Sequence, residues 1–348
     1  MYITDLKAIS PQKSYTDELL QGEFRVINEK TFTAIEPDYS SFIPKSLLRR
    51  MGKAVRMGIG AGLPLIEKHK DIDGILIGTA NGGIDDCFKF LHQIIEYDEG
   101  RLTPTNFVQS TPNAVAGQLA LINENHGYNS TYTNGGLSFE SALLDALLLF
   151  EEGGHNKLLV GALDEFSEKN YNIDFLTGKY KKEIVSSDEL IQSKTKGTVC
   201  GEGATLFVLE KEAEEYLAKI VDVAQISHAT EDDLQLALKI FLKKNNLEAS
   251  EIDTLMLGYN GDINHNKWYE LVASDSLKHC NLLLFKNLCG DYRTCSAFAT
   301  WISAHILKGN LSDLSSIQVK SKNSIENNYI LIYNHFDEVN HSFILLSK

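Results

Sequence analysis

The chain has 348 residues, 43% hydrophobic and 23% charged, with a formal net charge of −14. That length can bury one large core or two domains, and the composition is that of an ordinary globular protein. The acidic balance argues against nucleic acid as a partner, because a phosphate backbone recruits clustered Lys and Arg. No apolar run reaches the roughly 18 residues that a membrane span needs, so no membrane partner is expected.

The opening stretch MYITDLKAISPQKSY lacks the basic start and apolar centre of a signal peptide. The five cysteines, Cys87, Cys200, Cys280, Cys289 and Cys295, are scattered. The spacing of Cys289 and Cys295 fits neither a CxxC redox pair nor a zinc knuckle. His335 and His341, with Asp337 between them, match no standard metal spacing. Reduced thiols, a cytoplasmic location, no metal and no cofactor are the expectations.

In chain order, residues 44–57 (PKSLLRRMGKAVRM) supply Lys45, Arg49, Arg50, Lys53 and Arg56, a local basic cluster that could dock an acidic partner or simply form a solvated helix face. Residues 74–80 (GILIGTA) read as a buried strand running through a glycine turn into a helix. Residues 127–136 read as a strand and a tight turn, TYTNGG, leading into the apolar helix LSFESALLDALLLF. In that helix Phe139, Ala142, Leu143, Ala146, Leu147 and Phe150 keep one face, and Leu144, Leu148 and Leu149 fill the others, so it is expected to be buried. Ser138 is a candidate cap at its start, and the glycines of EEGG end it. Residues 156–165 and 203–212 read as further buried strands. Residues 252–262 and 279–291 are apolar runs entering glycine turns, and two strands close the chain. Strands of this kind alternating with helices predict an α/β protein with largely buried sheets.

The N-terminus of a buried helix directs free N–H groups and a positive dipole end at the turn before it, a setting that activates a thiol. Here that turn holds Tyr132, Thr133, Asn134, Gly135 and Gly136, and no cysteine. An aromatic Tyr132 at such a turn suggests a plug in the space before the helix.

Four stretches, taken together, resemble the β-ketoacyl synthase family. GTVCGEGATLFVLE (197–210) is similar to its GEGA signature, and FIPKSLLRRMGKAVRMGIGAG (42–62) to its RRM segment. GILIGTANGG (74–83) resembles its first core strand, and TPTNFVQSTPNAVAGQLAL (103–121) its PN…AGQ segment. The resemblance implies a thiolase-like fold of two similar halves, here 1–215 and a shortened 216–348, in a five-layer αβαβα arrangement. It also implies a dimer whose sheets run on across the interface. In the family a cysteine and two histidines do the chemistry. On this chain the cysteine position falls on Thr133 or Gly136, the first histidine on Asn260, and the second on Asp291, with Lys286 at the family's lysine. The glycine-rich closing motif is replaced by NHFDEVN (334–340).

A threonine nucleophile at Thr133 would lack an adjacent base, and Cys200 or Cys289 reads more simply as a small buried hydrophobe. Glu202 reads as a turn-fixing carboxylate, Glu140 as one facing the helix dipole, and Asp291 with Lys286 as a buried ion pair. The resemblance therefore implies a catalytically inactive subunit of chain-length-factor type. It would pair with an active ketosynthase, or with itself, and serve acyl carrier protein through Lys45, Arg49, Arg50, Lys53 and Arg56. Fatty-acid, polyketide or aryl-polyene elongation would be the setting. The alternative is an enzyme with a rewritten site, an acyltransferase or decarboxylase acting on carrier-bound thioesters.

Overall fold

The computed structural model describes residues 1–321 and 327–348. In chain order the strands are β1 (Tyr2–Ile9), β2 (Thr31–Phe32), β3 (Gly74–Gly78), β4 (Tyr128–Tyr132), β5 (Lys157–Asp164), β6 (Cys200–Gly201), β7 (Gly203–Glu210), β8 (Ala218–Ser227), β9 (Thr254–Leu257), β10 (Asn281–Leu284), β11 (Gln318–Lys320), β12 (Tyr329–Phe336) and β13 (Asn340–Ser347). The helices are α1 (Lys45–Leu48), α2 (Lys53–Lys68), α3 (Ile84–Glu96), α4 (Pro104–Gln109), α5 (Ala114–Ile122), α6 (Ser138–Glu152), α7 (Glu168–Leu176), α8 (Glu231–Lys244), α9 (Asn266–Val272), α10 (Lys286–Cys289) and α11 (Ser296–Lys308).

The sheet order is β11-β10-β9-β12-β13-β8-β1-β7-β5-β3-β4. It contains one pattern twice. β4, β3 and β5 run parallel, and β7 and β1 follow antiparallel. β10, β9 and β12 likewise run parallel, and β13 and β8 follow antiparallel. Among the described residues, the strands of the two five-stranded units pair where Tyr2 and Ile3 of β1 meet Lys219 and Ala218 of β8.

Strand residues alternate between two apolar layers, as the two-residue period of a pleated strand requires. Leu76, Leu158, Val160, Phe207, Ile330, Ile332, Ile344 and Leu346 face the central layer, where α6 and α11 lie between the two units. Ile75, Ile77, Leu159 and Leu206 face α2 and α5 on one outer side. Leu255, Leu257, Leu331 and Leu345 face α8 and α9 on the other. The result is the five-layer αβαβα arrangement that the family resemblance implies.

Two local expectations differ from the structure. Ser138 lies inside the first turn of α6 rather than capping it: its hydroxyl accepts from the Asn134 N–H at 2.9 Å and donates to the Gly135 carbonyl at 2.8 Å, folding back onto the turn. The helix is also not buried on every side, since Leu148 is exposed. β1 and β8, the strands that join the units, were not among the predicted elements, because their alternating polar residues give no continuous apolar run.

Candidate functional site

Three turns, each at the C-terminal end of a parallel strand, converge with the β12–β13 hairpin. The first follows β4. Gly135 has φ +54° and is exposed, and an added Cβ would make only an ordinary contact with Asn340 Oδ1 at 3.5 Å. Gly136 is buried, and a Cβ there would stand 2.4 Å from Phe336 Cβ, so no side chain fits. Thr133 and Asn134 are exposed, and the Asn134 amide donates to Ser141 Oγ at 3.3 Å.

The second turn follows β9. Buried Asn260 donates from Nδ2 to Asp291 Oδ2 at 2.9 Å, and the same nitrogen lies 2.9 Å from His265 Nδ1. Its carbonyl accepts from Thr198 Oγ1 at 2.8 Å, and Lys181 Nζ donates to the next carbonyl, Gly261, at 2.8 Å. The third turn follows β10 and α10. Lys286 is fully buried and its Nζ stands 2.8 Å from Asp291 Oδ1. Burial alone would pull Lys286 down, and Asp291 beside it more than reverses this; burial would raise Asp291, and Lys286 holds it below the usual carboxylate range. The pair is thus ionised on both sides. Such a pair is costly to bury and more costly to break.

Asn260, Lys286 and Asp291 therefore meet as the sequence suggests. They form a buried charge network with His265 at its edge. The thiols nearby are inert. Burial pushes Cys200 up to about 12, Cys295 up to about 12, and Cys289 well above its ordinary value. His335 is buried and held well below its ordinary value by burial and by Lys286, so it is neutral.

Beside this network lies a cavity of about 20 Å³, bordered by Asn81, Tyr180, Cys200, Asp291, Arg293 and Phe336, room for about one water. Phe336, which sequence reasoning missed, borders it and packs against Gly136. Tyr132, the expected plug, does not border the cavity; it lies beside Asp145 and against the central core. The available signal was Phe336 within NHFDEVN (334–340), which stands where the family has its glycine-rich closing motif, but nothing local says what that ring meets.

Glu202 does fix its turn: it accepts from the N–H groups of Ala34 and Phe166, each at 2.8 Å, and from Lys53 Nζ at 2.5 Å. Glu140 instead reaches across to β13, accepting from Ser342 Oγ at 2.8 Å, and burial raises its carboxyl. The basic cluster is divided. Lys45, Arg49 and Arg50 are exposed, whereas Lys53 is engaged with Glu202 and Arg56 makes a two-point ion pair with Glu36 at 2.6 and 2.8 Å. Among the described residues no group of His, Cys, Asp and Glu could hold a metal ion, and no helix is long and apolar enough to cross a membrane.

Residues 28–180 match the family model described as "Beta-ketoacyl synthase, N-terminal domain". No curated protein matches the chain by sequence. Among solved structures, the chain is similar to "the ishigamide ketosynthase/chain length factor", with a TM-score of 0.80, 14% identity, and coverage of 100% of this chain and 98% of that one. It is similar to a type II polyketide acyl-carrier protein complex with its ketosynthase bound to the hexaketide (0.77, 14%, 99% and 98%). A ketosynthase in complex with its chain length factor from Xenorhabdus doucetiae is a third (0.77, 16%, 99% and 97%). At these identities the likeness is one of fold, and it extends over the whole chain. Residues 28–180 thus match the N-terminal domain of the β-ketoacyl synthases, and the chain as a whole has the thiolase-like fold of these ketosynthase structures.

Proposed function

We propose that this chain is a non-catalytic, chain-length-factor-type subunit that pairs with an active ketosynthase and shapes the space in which a carrier-bound acyl chain grows. The observation that carries this reading is the elbow itself. Glycines occupy it, Phe336 packs against Gly136, and the positions matching the family's histidines are Asn260 and Asp291, locked together with Lys286. A condensing enzyme needs a thiolate and hydrogen-bond donors aimed at the thioester oxygen. The buried thiols here are protonated at neutral pH, which disfavours a rescue nucleophile and with it the rewritten-enzyme reading.

A partner surface fits the proposal. β4 is the free edge of the sheet and is flanked by exposed Leu121 on α5 and Leu148 on α6, both helices packing on that strand. An unpaired edge with apolar flanks is a template for another sheet. Exposed Lys45, Arg49 and Arg50 are the proposed contacts for an acidic carrier protein. Fatty-acid, polyketide and aryl-polyene elongation remain the proposed settings.

The test is co-expression with a cysteine-bearing ketosynthase encoded beside this chain, followed by incubation with acyl- and malonyl-carrier thioesters. Native and intact mass spectra are expected to contain a mixed dimer acylated only on the partner. An acyl adduct on this chain would overturn non-catalysis, and an exclusively homodimeric chain would overturn the pairing.

A further inference from the structure

α8 buries Leu234, Leu238, Phe241 and Leu242 against the outer face of the sheet formed by β9, β12 and β13. Lys239 and Lys243 each follow one of these leucines, about 100° further round the helix, and so stand one turn apart along the edge of the buried stripe. Beyond that edge lies a cavity of about 670 Å³ between α8, the turn after it and the end of α9. That size falls within the roughly 300–1,000 Å³ that small-molecule sites occupy. Its walls are apolar: Leu238, Leu242, Leu247 and Val272 are buried, and Leu271 packs beside them.

The rim supplies N–H donors. Gln235, Lys239, Lys243 and Asn246 all border the cavity, and among the described residues none of these four side chains has a hydrogen-bond or ion-pair partner. Lys244, the next residue along, is by contrast paired with Asp222 at 2.8 Å. Glu248 is the one carboxylate on the rim among the described residues, and it is turned back on its own chain, where its side chain accepts from the Glu251 N–H. The chain carries a net charge of −14, yet here two like charges one helical turn apart repel each other with no counter-charge between them.

From this arrangement we infer that the cavity between α8 and α9 binds an anionic amphiphile, a carboxylate on an unbranched apolar chain. The tail lies on Leu238, Leu242, Leu247 and Val272, and the head is held by Lys239 and Lys243. An ionised carboxylate only accepts hydrogen bonds, which suits a rim of unpartnered N–H groups. Apolar walls reject a purely polar anion, and the lysine pair discriminates against a neutral or cationic amphiphile of the same length. The site belongs to the outer helical layer and shares no residue with the elbow or with the Asn260–Lys286–Asp291 network. It goes beyond the proposed pairing and does not depend on it.

The experiment is equilibrium dialysis of the isolated full chain against radiolabelled decanoate and, separately, radiolabelled decanol. Decanoate is expected to bind about tenfold more tightly than decanol, and added salt should narrow the gap. The double variant Lys239→Gln with Lys243→Gln should bring decanoate down to the affinity of decanol and leave decanol itself unchanged. Ala249→Trp, which fills the cavity from its half-buried rim, should abolish binding of both. Failure to retain decanoate, or equal retention of decanol, overturns the inference. So does decanoate binding that survives loss of both lysines, or that survives in a folded Ala249→Trp chain, since the ligand then lies elsewhere. The lysines are exposed, so their variant keeps the test decisive if Ala249→Trp does not fold.

Discussion

Gly135 and Gly136 adjoin in the chain but differ in what they tolerate. A side chain on Gly136 collides with Phe336, whereas a Cβ on Gly135 makes only an ordinary contact with Asn340, at the cost of a left-handed backbone. Gly135 also stands just before a buried helix, where amide N–H groups and the dipole favour an anion. Introducing a thiol at each tests this difference. Gly135→Cys is expected to fold and to be alkylated by iodoacetamide about tenfold faster than the buried native thiols, as a lowered pKa and exposure would require. Gly136→Cys is expected to lose several kcal/mol, about 3 or more, through overpacking. Alkylation followed by intact mass, with denaturant melts of both variants, checks the pair; equal alkylation at both sites would refute it. From sequence alone the vacated position was left between Thr133 and Gly136. Backbone φ is not written in residue type when the residue is glycine.

At the scale of elements, Glu165 links three of them. It follows β5 and is buried; Oε2 accepts from the Ala54 N–H in the first turn of α2 at 3.0 Å, and Oε1 from the Asp85 N–H in the first turn of α3 at 3.1 Å. Burial, with Asp85 and Asp86 nearby, raises its carboxyl to about 7 despite these bonds. The folded state therefore holds this proton more tightly than the unfolded chain does. Its contribution is complete below about pH 4.5 and is lost as pH rises through about 7, a swing of up to about 3 kcal/mol. Glu165→Gln starts less stable but cannot titrate, so the Tm advantage of the unaltered chain should shrink from pH 4.5 to 8. Parallel Tm curves would show that Glu165 titrates normally. An acidic residue at a strand end was visible in the sequence; that it satisfies two helices brought together from distant segments was not.

At the scale of the molecule, the free edge at β4 is the surface proposed for pairing. The Tyr128 N–H donates to Asp73 O at 3.3 Å, and Tyr132 O accepts from the Thr79 N–H at 2.9 Å, both on the β3 side. The two-residue period then turns the N–H groups of Asn129 and Thr131 outward. Proline is tolerated where the lost N–H faces away from the sheet. Thr131→Pro is therefore expected to leave Tm within a few degrees while abolishing pairing along this edge. Native mass spectrometry with the co-expressed ketosynthase reads the result, and an undiminished mixed dimer would place the interface elsewhere.

Much of this architecture was legible in the linear sequence. Periodicity separated strands from helices, and the GEGA, RRM and PN…AGQ segments identified the fold, because both depend on neighbours along the chain. The loss of a cysteine at the elbow, and the Lys286–Asp291 pair, could also be read there, since each depends on residue identity within a short motif. Tertiary structure alone decided that Phe336 packs against Gly136 while Tyr132 lies beside Asp145, and that Lys53 and Arg56 are held by Glu202 and Glu36 while Lys45, Arg49 and Arg50 stay exposed. It also decided that β1 and β8 join the two units. Each of these depends on contacts between segments far apart in sequence. A residue's type states what it can bind, but only the packed chain determines which partner comes within reach.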